Sequence, residues 1–332
     1  MKNRSMKDSL NRRSFLRRSA LAAGALTTGA LAGTQKANAT PAEMAASYRQ
    51  PGDEPTTFVH ACATLAYRNY PMEEALTGIR DAGFNAVMWG TTHIESDGER
   101  TPALDVNAST QEAADLAGRS RELGLEPVKM FSSILPDDED AIPGLQNRIR
   151  QASAAGIRQI LTFGPVRGGD PDRWIDVMRE IAPMAREHDV LIMLKQHGGV
   201  TTGSGRSIRD ILEIIDHPNI VMTYDAGNVH WYLDINPLRD IESCADWIHG
   251  FTLKDARYYP EKTTCGPGFG EIDHYRLMAP VAFKSREIIL GYENIYPAYV
   301  GSPNTPVSEI NSWARLSRVF MENVIAAMQR EA

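Results

Sequence analysis

"LIMLKQHGG", Leu191–Gly199, decides how this chain folds. Its first four residues are apolar and too few for a helix, so with Val190 before them they read as a buried strand. The run ends abruptly in a lysine, an amide and a histidine, and two glycines stop it. Upstream lies "WIDVMREIAPMAREH" (174–188) and downstream "SIRDILEIIDH" (207–217), both with apolar residues at helical spacing. Beyond the second helix, "NIVMTYD" (219–225) is another strand-like run. One strand between two amphipathic helices, followed by a further strand, is the unit of an α/β protein.

The same unit recurs along the chain. Apolar, β-prone runs stand at 57–63 (TFVHACA), 84–90 (FNAVMWG), 125–131 (LEPVKMF), 157–164 (IRQILTFG), 190–196, 219–225, 248–254 (IHGFTLK) and 287–293 (EIILGYE). Helical segments such as "MEEALTGIRDAG" (72–83) and "TQEAADLAGRSRELG" (110–124) lie between them and end at glycines suited to C-caps. Eight such units at a spacing of roughly 30–40 residues predict a (β/α)8 TIM barrel over 57–330, preceded by an N-terminal linker at 40–56. A doubly wound sheet is the competing fold, and the absence of a G-x-G-x-x-G turn after the first run counts against it.

Residues 1–39 read as an export signal. "NRRSFLR" (11–17) carries a twin-arginine pair, the weakly apolar "ALAAGALTTGALAG" (20–33) follows, and "ANA" (37–39) supplies small residues for cleavage. That apolar run is shorter than the roughly 20 residues a membrane span needs. The expected destination is the periplasm or another extracytoplasmic space, with no membrane span after removal of the signal. The full chain carries 35 Lys/Arg and 42 Asp/Glu; without the eight basic residues and one Asp of the signal, 27 and 41 remain, a formal charge of −14. Such a balance argues against nucleic acid as a partner. Cys62, Cys244 and Cys265 are widely spaced and provide neither a disulfide framework nor a zinc pattern.

A barrel places its chemistry at the C-terminal strand ends. The fifth run ends in Lys195, Gln196 and His197, the sixth in Asp225 with Asn228 close behind, the seventh in Thr252, Lys254 and Asp255, and the eighth in Glu293 and Asn294. A lone charge at one such end reads as a solvated loop. Four consecutive ends with ionisable groups point to a shared site, because buried charges require partners.

These ends carry a family resemblance. "LIMLKQHGG", "VMTYDAGNVHWY" (221–232), "FTLKDAR" (251–257) and "ILGYENIY" (289–296) are similar to the strand-end motifs of the xylose isomerase-like barrels, the sugar isomerase and epimerase superfamily, over Phe58 to Tyr296. In that family a divalent cation is held by three carboxylates and an imidazole. The resemblance places Asp225 on the strand-6 ligand position and Glu293 on the strand-8 position, and His197, Gly198, Gly199, Lys254 and Asp255 keep the family identities. Lys195 stands where the strand-5 Glu belongs, Thr252 where the strand-7 His belongs, and Met88 where many relatives carry a Glu.

A lysine ammonium can neither ligate a metal nor sit comfortably beside one. The expectation is therefore no cofactor, with Lys195 between Asp225 and Glu293 as the substitute cation. The alternative is Mn or Mg held by Asp225, Glu293 and His197. What the resemblance implies is a sugar isomerase or epimerase that moves a proton next to a carbonyl on a carbohydrate or keto-sugar. Glu293 is then the base, Lys195 the stabiliser of the enediolate oxygen, Lys254 or His197 the proton partner, and Asp225 the residue orienting Lys195. Lys254, Asp255, Asn228, Trp89 and Arg257 are the expected substrate-binding residues, Trp89 reading equally as barrel-top packing. The glycine-rich "YYPEKTTCGPGFGEID" (258–273) is expected to lie over the substrate or to be a flexible surface loop, and "GGVTTGSGRS" (198–207) to be a mobile lid edge. His230 and Trp231 read as loop residues near the mouth. Two other functions fit the same residues: a lyase acting by β-elimination on a keto-glycoside, and a non-catalytic periplasmic sugar-binding protein. A homo-oligomer is compatible with the sequence.

Overall fold

The structure, a computed structural model, describes residues 39–298 and 304–330. Apart from Ala39, the expected export signal lies outside the described residues. Eight strands form the centre: β1 Thr57–Ala63, β2 Ala86–Trp89, β3 Glu126–Phe131, β4 Gln159–Phe163, β5 Leu191–Lys195, β6 Ile220–Tyr224, β7 Ile248–Leu253 and β8 Glu287–Tyr292. Each pairs in parallel with its successor, and β8 returns to β1 with Gly291 opposite Ala61, so the sheet closes into the expected (β/α)8 barrel.

Alternation along the strands sorts the side chains. Ala63, Met88, Phe131 and Leu161 meet inside the barrel, with Ala61, Ala86 and Ile289 in a separate inner group. Trp89, Met130, Ile160, Leu194, Phe251 and Leu290 face outward and join the core between barrel and helices. Two strands break the alternation. Opposite Val87 and Met88, β3 carries one extra residue, Val128, and opposite Met222 and Thr223, β7 carries His249.

Helices Met72–Asp81, Thr110–Glu122, Ala141–Ala155, Pro171–Glu187 and Gly205–Ile215 follow the first five strands, and Val307–Gln329 follows the last. Their ends are set locally. Ser109 with Glu112 and Ser204 with Ser207 form capping boxes, and Gly156 ends its helix at a φ of 74°. The segment read as a linker holds a helix of its own, Pro41–Ala46, because Thr40 and Glu43 form a capping box around Pro41 and Ala45 is buried. Among the described residues no helix is long and apolar enough to cross a membrane. The three cysteines are buried and unbridged.

Candidate active site

Four charged side chains converge at the C-terminal mouth from four consecutive strands. Lys195, the last residue of β5, is 2% exposed, and its Nζ donates to Glu293 Oε2 at 2.5 Å and lies 3.3 Å from Asp225 Oδ2. Lys254, directly after β7, closes the square, with its Nζ 2.5 Å from Glu293 Oε1 and 3.2 Å from Asp225 Oδ2. Two ammoniums thus face two carboxylates, and the formal charge of the cluster is zero.

The surrounding backbone fixes this arrangement. Asp225 caps the helix Ala226–Leu233: its Oδ1 accepts from Asn228 N at 2.9 Å, which leaves Oδ2 for the lysines. Gln196 clamps β5 to the same corner, its Oε1 accepting from Asp225 N at 2.9 Å and its carbonyl accepting from Asn228 Nδ2 at 2.8 Å. Asn228 Oδ1 in turn accepts from Lys254 Nζ at 3.1 Å. The rings of Phe131 and Phe163 wall the other side of Lys195, their centroids 5.5 and 6.0 Å from Nζ.

Burial and charge then compete. Burial alone would raise the pKa of Glu293, but the Lys195 and Lys254 ammoniums outweigh it and hold the carboxyl at about 2. Lys254 is pulled down by burial and pushed further up by Asp225 and Glu293, so it stays charged above the ordinary lysine range. Lys195 goes the other way: burial, with Lys254 adding repulsion, overcomes the pull of Glu293 and Asp225 and lowers it. The less secure proton of the cluster therefore belongs to Lys195.

Beneath this square lies a residue that the sequence reading missed. Lys129, on β3, is fully buried, and among the described residues its Nζ finds only Phe251 O at 3.4 Å and Thr223 Oγ1 at 3.5 Å. Burial, reinforced by Lys195, brings its pKa down to about 7. Gly250 makes room for it, since a Cβ there would stand 2.9 Å from Lys129 Nζ. The signal was visible in "EPVKMF" (126–131), where a lysine interrupts an otherwise apolar strand. Thr252, 1% exposed, shares this lower layer, with its Oγ1 3.5 Å from Thr223 Oγ1.

Several expected site residues lie elsewhere. Asp255 is 1% exposed and is occupied by the glycine-rich loop: its oxygens accept from the backbone N–H groups of Gly268, Gly270 and Ile272 at 3.2, 3.1 and 3.0 Å, and His274 Nε2 lies 3.3 Å away. It anchors that loop, and Gly270 is required there because a Cβ would reach 2.2 Å from Asp255 Oδ1. Trp89 points out of the barrel into the helix layer and is 1% exposed, in a barrel-top packing position. Arg257 belongs to the hairpin Asp255–Arg257/Thr263–Cys265 and makes no hydrogen bond to the four-residue cluster. His197 sits half-buried at the rim, its ring 5.1 Å from both Phe163 and Tyr232, and burial with the two nearby ammoniums lowers its pKa. His230 and Trp231 are helical, on Ala226–Leu233, and the ring of His230 packs against Tyr258. The 198–207 segment is joined to the loop after β4 by Val200 pairing with Val166 and by Thr201 N donating to Pro165 O at 2.8 Å.

The donor set does not fit a divalent cation. An ion bridging Asp225 and Glu293 would stand where Lys195 Nζ stands, and an ammonium has no lone pair to offer. His197 does not join those carboxylates, and among the described residues no three His, Cys, Asp or Glu side chains converge into a metal-binding group.

Over residues 76–315 the chain matches the family described as xylose isomerase-like TIM barrel. A curated relative, 3-dehydroshikimate dehydratase of Bacillus anthracis, is 20% identical over 180 residues, which span 52% of this chain and 62% of the relative. Among solved structures, D-psicose 3-epimerase from Clostridium cellulolyticum with D-tagatose superposes with a TM-score of 0.60 at 12% identity, covering 80% of this chain and 99% of that one. A barrel protein of Mycobacterium smegmatis in complex with magnesium gives a TM-score of 0.60 at 14% identity over 82% and 97%.

Proposed function

Because the chain belongs to the xylose isomerase-like TIM barrel family, we propose that it is a sugar-modifying enzyme that removes and returns a proton next to a carbonyl, with lysine ammoniums in place of a divalent cation. The observation that carries this reading is the square of Lys195, Asp225, Lys254 and Glu293 at the barrel mouth. Proton abstraction beside a carbonyl needs a base, a positive group at the developing oxygen and an acid. Lys254, held charged by both carboxylates and oriented by Asn228, suits the oxygen. Glu293 is a weak base while two ammoniums grip it, and it gains basicity when substrate oxygens draw those ammoniums away. Lys195, with the loosest proton, is the acid that delivers one to the enediolate and then recovers a proton from Glu293, 2.5 Å away. Asp225 orients both lysines. The substrate is a small carbohydrate or keto-sugar, met in the periplasm after twin-arginine export.

β-Elimination is the second reading, and the dehydratase among the relatives favours it. Its first step is the same proton abstraction; the enediolate then expels a β-oxygen, protonated by Lys195, instead of being reprotonated. One experiment separates these readings from a sugar-binding protein without catalysis. The mature protein is incubated in D2O with a panel of ketoses, aldoses and keto-glycosides and followed by NMR, with calorimetry for binding. Deuterium entering the carbon beside the carbonyl supports isomerase or epimerase chemistry, and an unsaturated product with a released alcohol or water supports the lyase. Binding without either product would overturn both.

A further inference from the structure

Exposed aromatic side chains gather beside the mouth. Among the described residues the large apolar side chains left exposed are Tyr232, Ile235, Tyr258 and Tyr259, together with Leu316 and Val319 on the last helix. The first four come from two places: the end of the helix that Asp225 caps with the turn after it, and the start of the loop that follows β7 and its hairpin strand. Tyr232 is 44% exposed, Tyr258 43% and Tyr259 82%. Scattered apolar residues at a surface need no explanation, but a cluster of them marks a contact surface.

This rim is continuous with the mouth. Lys195 Nζ lies 6.0 Å from the Phe163 ring, that ring lies 5.1 Å from His197, and His197 lies 5.1 Å from Tyr232. The Tyr232 ring rests on Gly198, where a Cβ would stand 2.4 Å from its Cδ1, so glycine at that position lets the ring lie against the end of β5. Along its helix Tyr232 stands roughly 10 Å from Asp225, at about 1.5 Å per residue. The loop side is held in place as well. Tyr258 Oη donates to Asp234 Oδ1 at 2.8 Å, and Lys262 Nζ lies 2.7 Å from the same oxygen and 5.4 Å from the ring centroids of both Trp231 and Tyr258. The N–H groups of Tyr258 and Tyr259 donate to Glu271 Oε1 at 3.1 and 3.3 Å, and the Tyr258 ring packs 4.6 Å from His230. Rings held this way are ordered before a ligand arrives, which lowers the entropic cost of binding.

We propose that this aromatic rim is a subsite for the second ring of a disaccharide whose first ring sits in the mouth. The proposal rests on the mouth being the site of sugar chemistry, and it adds the substrate class: a two-ring glycoside in preference to a free monosaccharide. A pyranose presents C–H groups on its face and hydroxyls around its edge, which suits the apolar body and polar tip of a tyrosine. In the elimination reading the second ring is the alcohol released; in the isomerase reading it is a remote handle whose binding holds the first ring in place. Four exposed side chains set among Asp234, Glu261 and Lys262 suit a single sugar ring, whereas a stable protein interface takes roughly 20–30 residues a side.

Calorimetric titration of the mature protein with maltose, cellobiose, lactose, sucrose and trehalose, each compared with its component monosaccharides, gives the test. At least one disaccharide should bind roughly tenfold tighter than either component, and a component should displace it in competition, since both occupy the mouth. Tyr232→Ala should lower the ratio of disaccharide to monosaccharide affinity by roughly 3- to 10-fold, and Tyr232→Phe, which keeps the ring, should retain it. Tyr258→Ala should lower the same ratio without touching the packing on Gly198, so the test survives if Tyr232→Ala does not fold. Equal affinity for every disaccharide and its components, a disaccharide that no component displaces, or a ratio unchanged in both alanine variants would each overturn the proposal. So would a wild-type dimer, seen by light scattering, that Tyr258→Ala splits into monomers, because the rim would then belong to a second copy of the chain. All of these outcomes are read from binding or mass alone, so they stand apart from the deuterium exchange that tests the chemistry at the mouth.

Discussion

Replacing Lys195 by methionine tests the charge square directly. Methionine is close in volume and keeps the contacts with Phe131 and Phe163 while removing the ammonium. Glu293 is held at about 2 against an ordinary 4.5, a gap of about 3 kcal/mol that is net of the burial its two lysines outweigh; burial of Lys195, whose own pKa is lowered, works against the pair, and the short contact with Glu293 is taken as the deciding effect. Losing Lys195 forfeits roughly half of that and leaves Asp225 and Glu293 to repel each other around Lys254 alone. A destabilisation of about 2–4 kcal/mol at pH 7 follows, in the range for breaking a buried pair. The pH dependence has a definite sign. A carboxyl with a depressed folded pKa contributes stability that is present above 4.5 and lost as pH falls through about 2. The difference between wild type and variant should therefore be greatest near neutrality and shrink below pH 4.5. Urea unfolding at pH 7 and at pH 3.5 reads both values, and NMR exchange in D2O reads turnover, which should drop by a factor on the order of 10² to 10⁴. A variant with full turnover and wild-type stability at pH 7, or a stability gap that does not narrow in acid, would refute the reasoning.

Three further outcomes follow from the site. Lys129→Met should stabilise the protein: the folded pKa of about 7 lies below the ordinary 10.5, so the wild type carries a penalty that is complete below pH 7 and vanishes as pH rises through 10.5. Its gain in Tm should accordingly be larger at pH 7 than at pH 10. EDTA should leave the Tm of the purified wild type unchanged, whereas Lys195→Glu combined with Thr252→His should acquire a Tm that rises on adding Mn2+; a drop in wild-type Tm with EDTA would contradict the substitution of metal by lysine. Asp255→Ala removes the anchor of Gly268, Gly270 and Ile272, at a cost of about 1–3 kcal/mol, and should expose the 258–273 loop to limited proteolysis well before the barrel.

The barrel was legible because its signal is repetitive. Each of the eight apolar runs overlaps a barrel strand, and errors stayed at run ends, where Lys254 and Glu293 lie one residue past the ladder. Charges at the mouth were legible for a related reason: alternation sends Lys195, Asp225, Lys254 and Glu293 to one face once the strand ends are known. Contacts that depend on a neighbouring loop were not. Asp255 and Lys254 are adjacent in sequence, yet one serves the cluster and the other ties down the glycine loop, and only tertiary packing distinguishes them. Trp89 is a similar case: the sequence left stacking and packing open, and one position of alternation separates it from Met88, which does face inward. Lys129 was missed because a lysine in a strand is ordinarily an exposed one.

The extra residue in β3 has a consequence for how this barrel can change. Because Val128 is taken up as a bulge, Lys129 still falls opposite Met88 and turns inward with Phe131, while Met130 turns out. Deleting that one codon would leave this facing intact, with Lys129 opposite Met88 in a regular ladder. Straightening the strand with Val128 retained would do the reverse: Val128 would take the place opposite Met88, Met130 would enter the barrel, and Lys129 and Phe131 would turn toward the helix layer. The buried lysine and one wall of the mouth thus depend on the same bulge, so the chain tolerates loss of the extra residue more readily than loss of the kink that absorbs it.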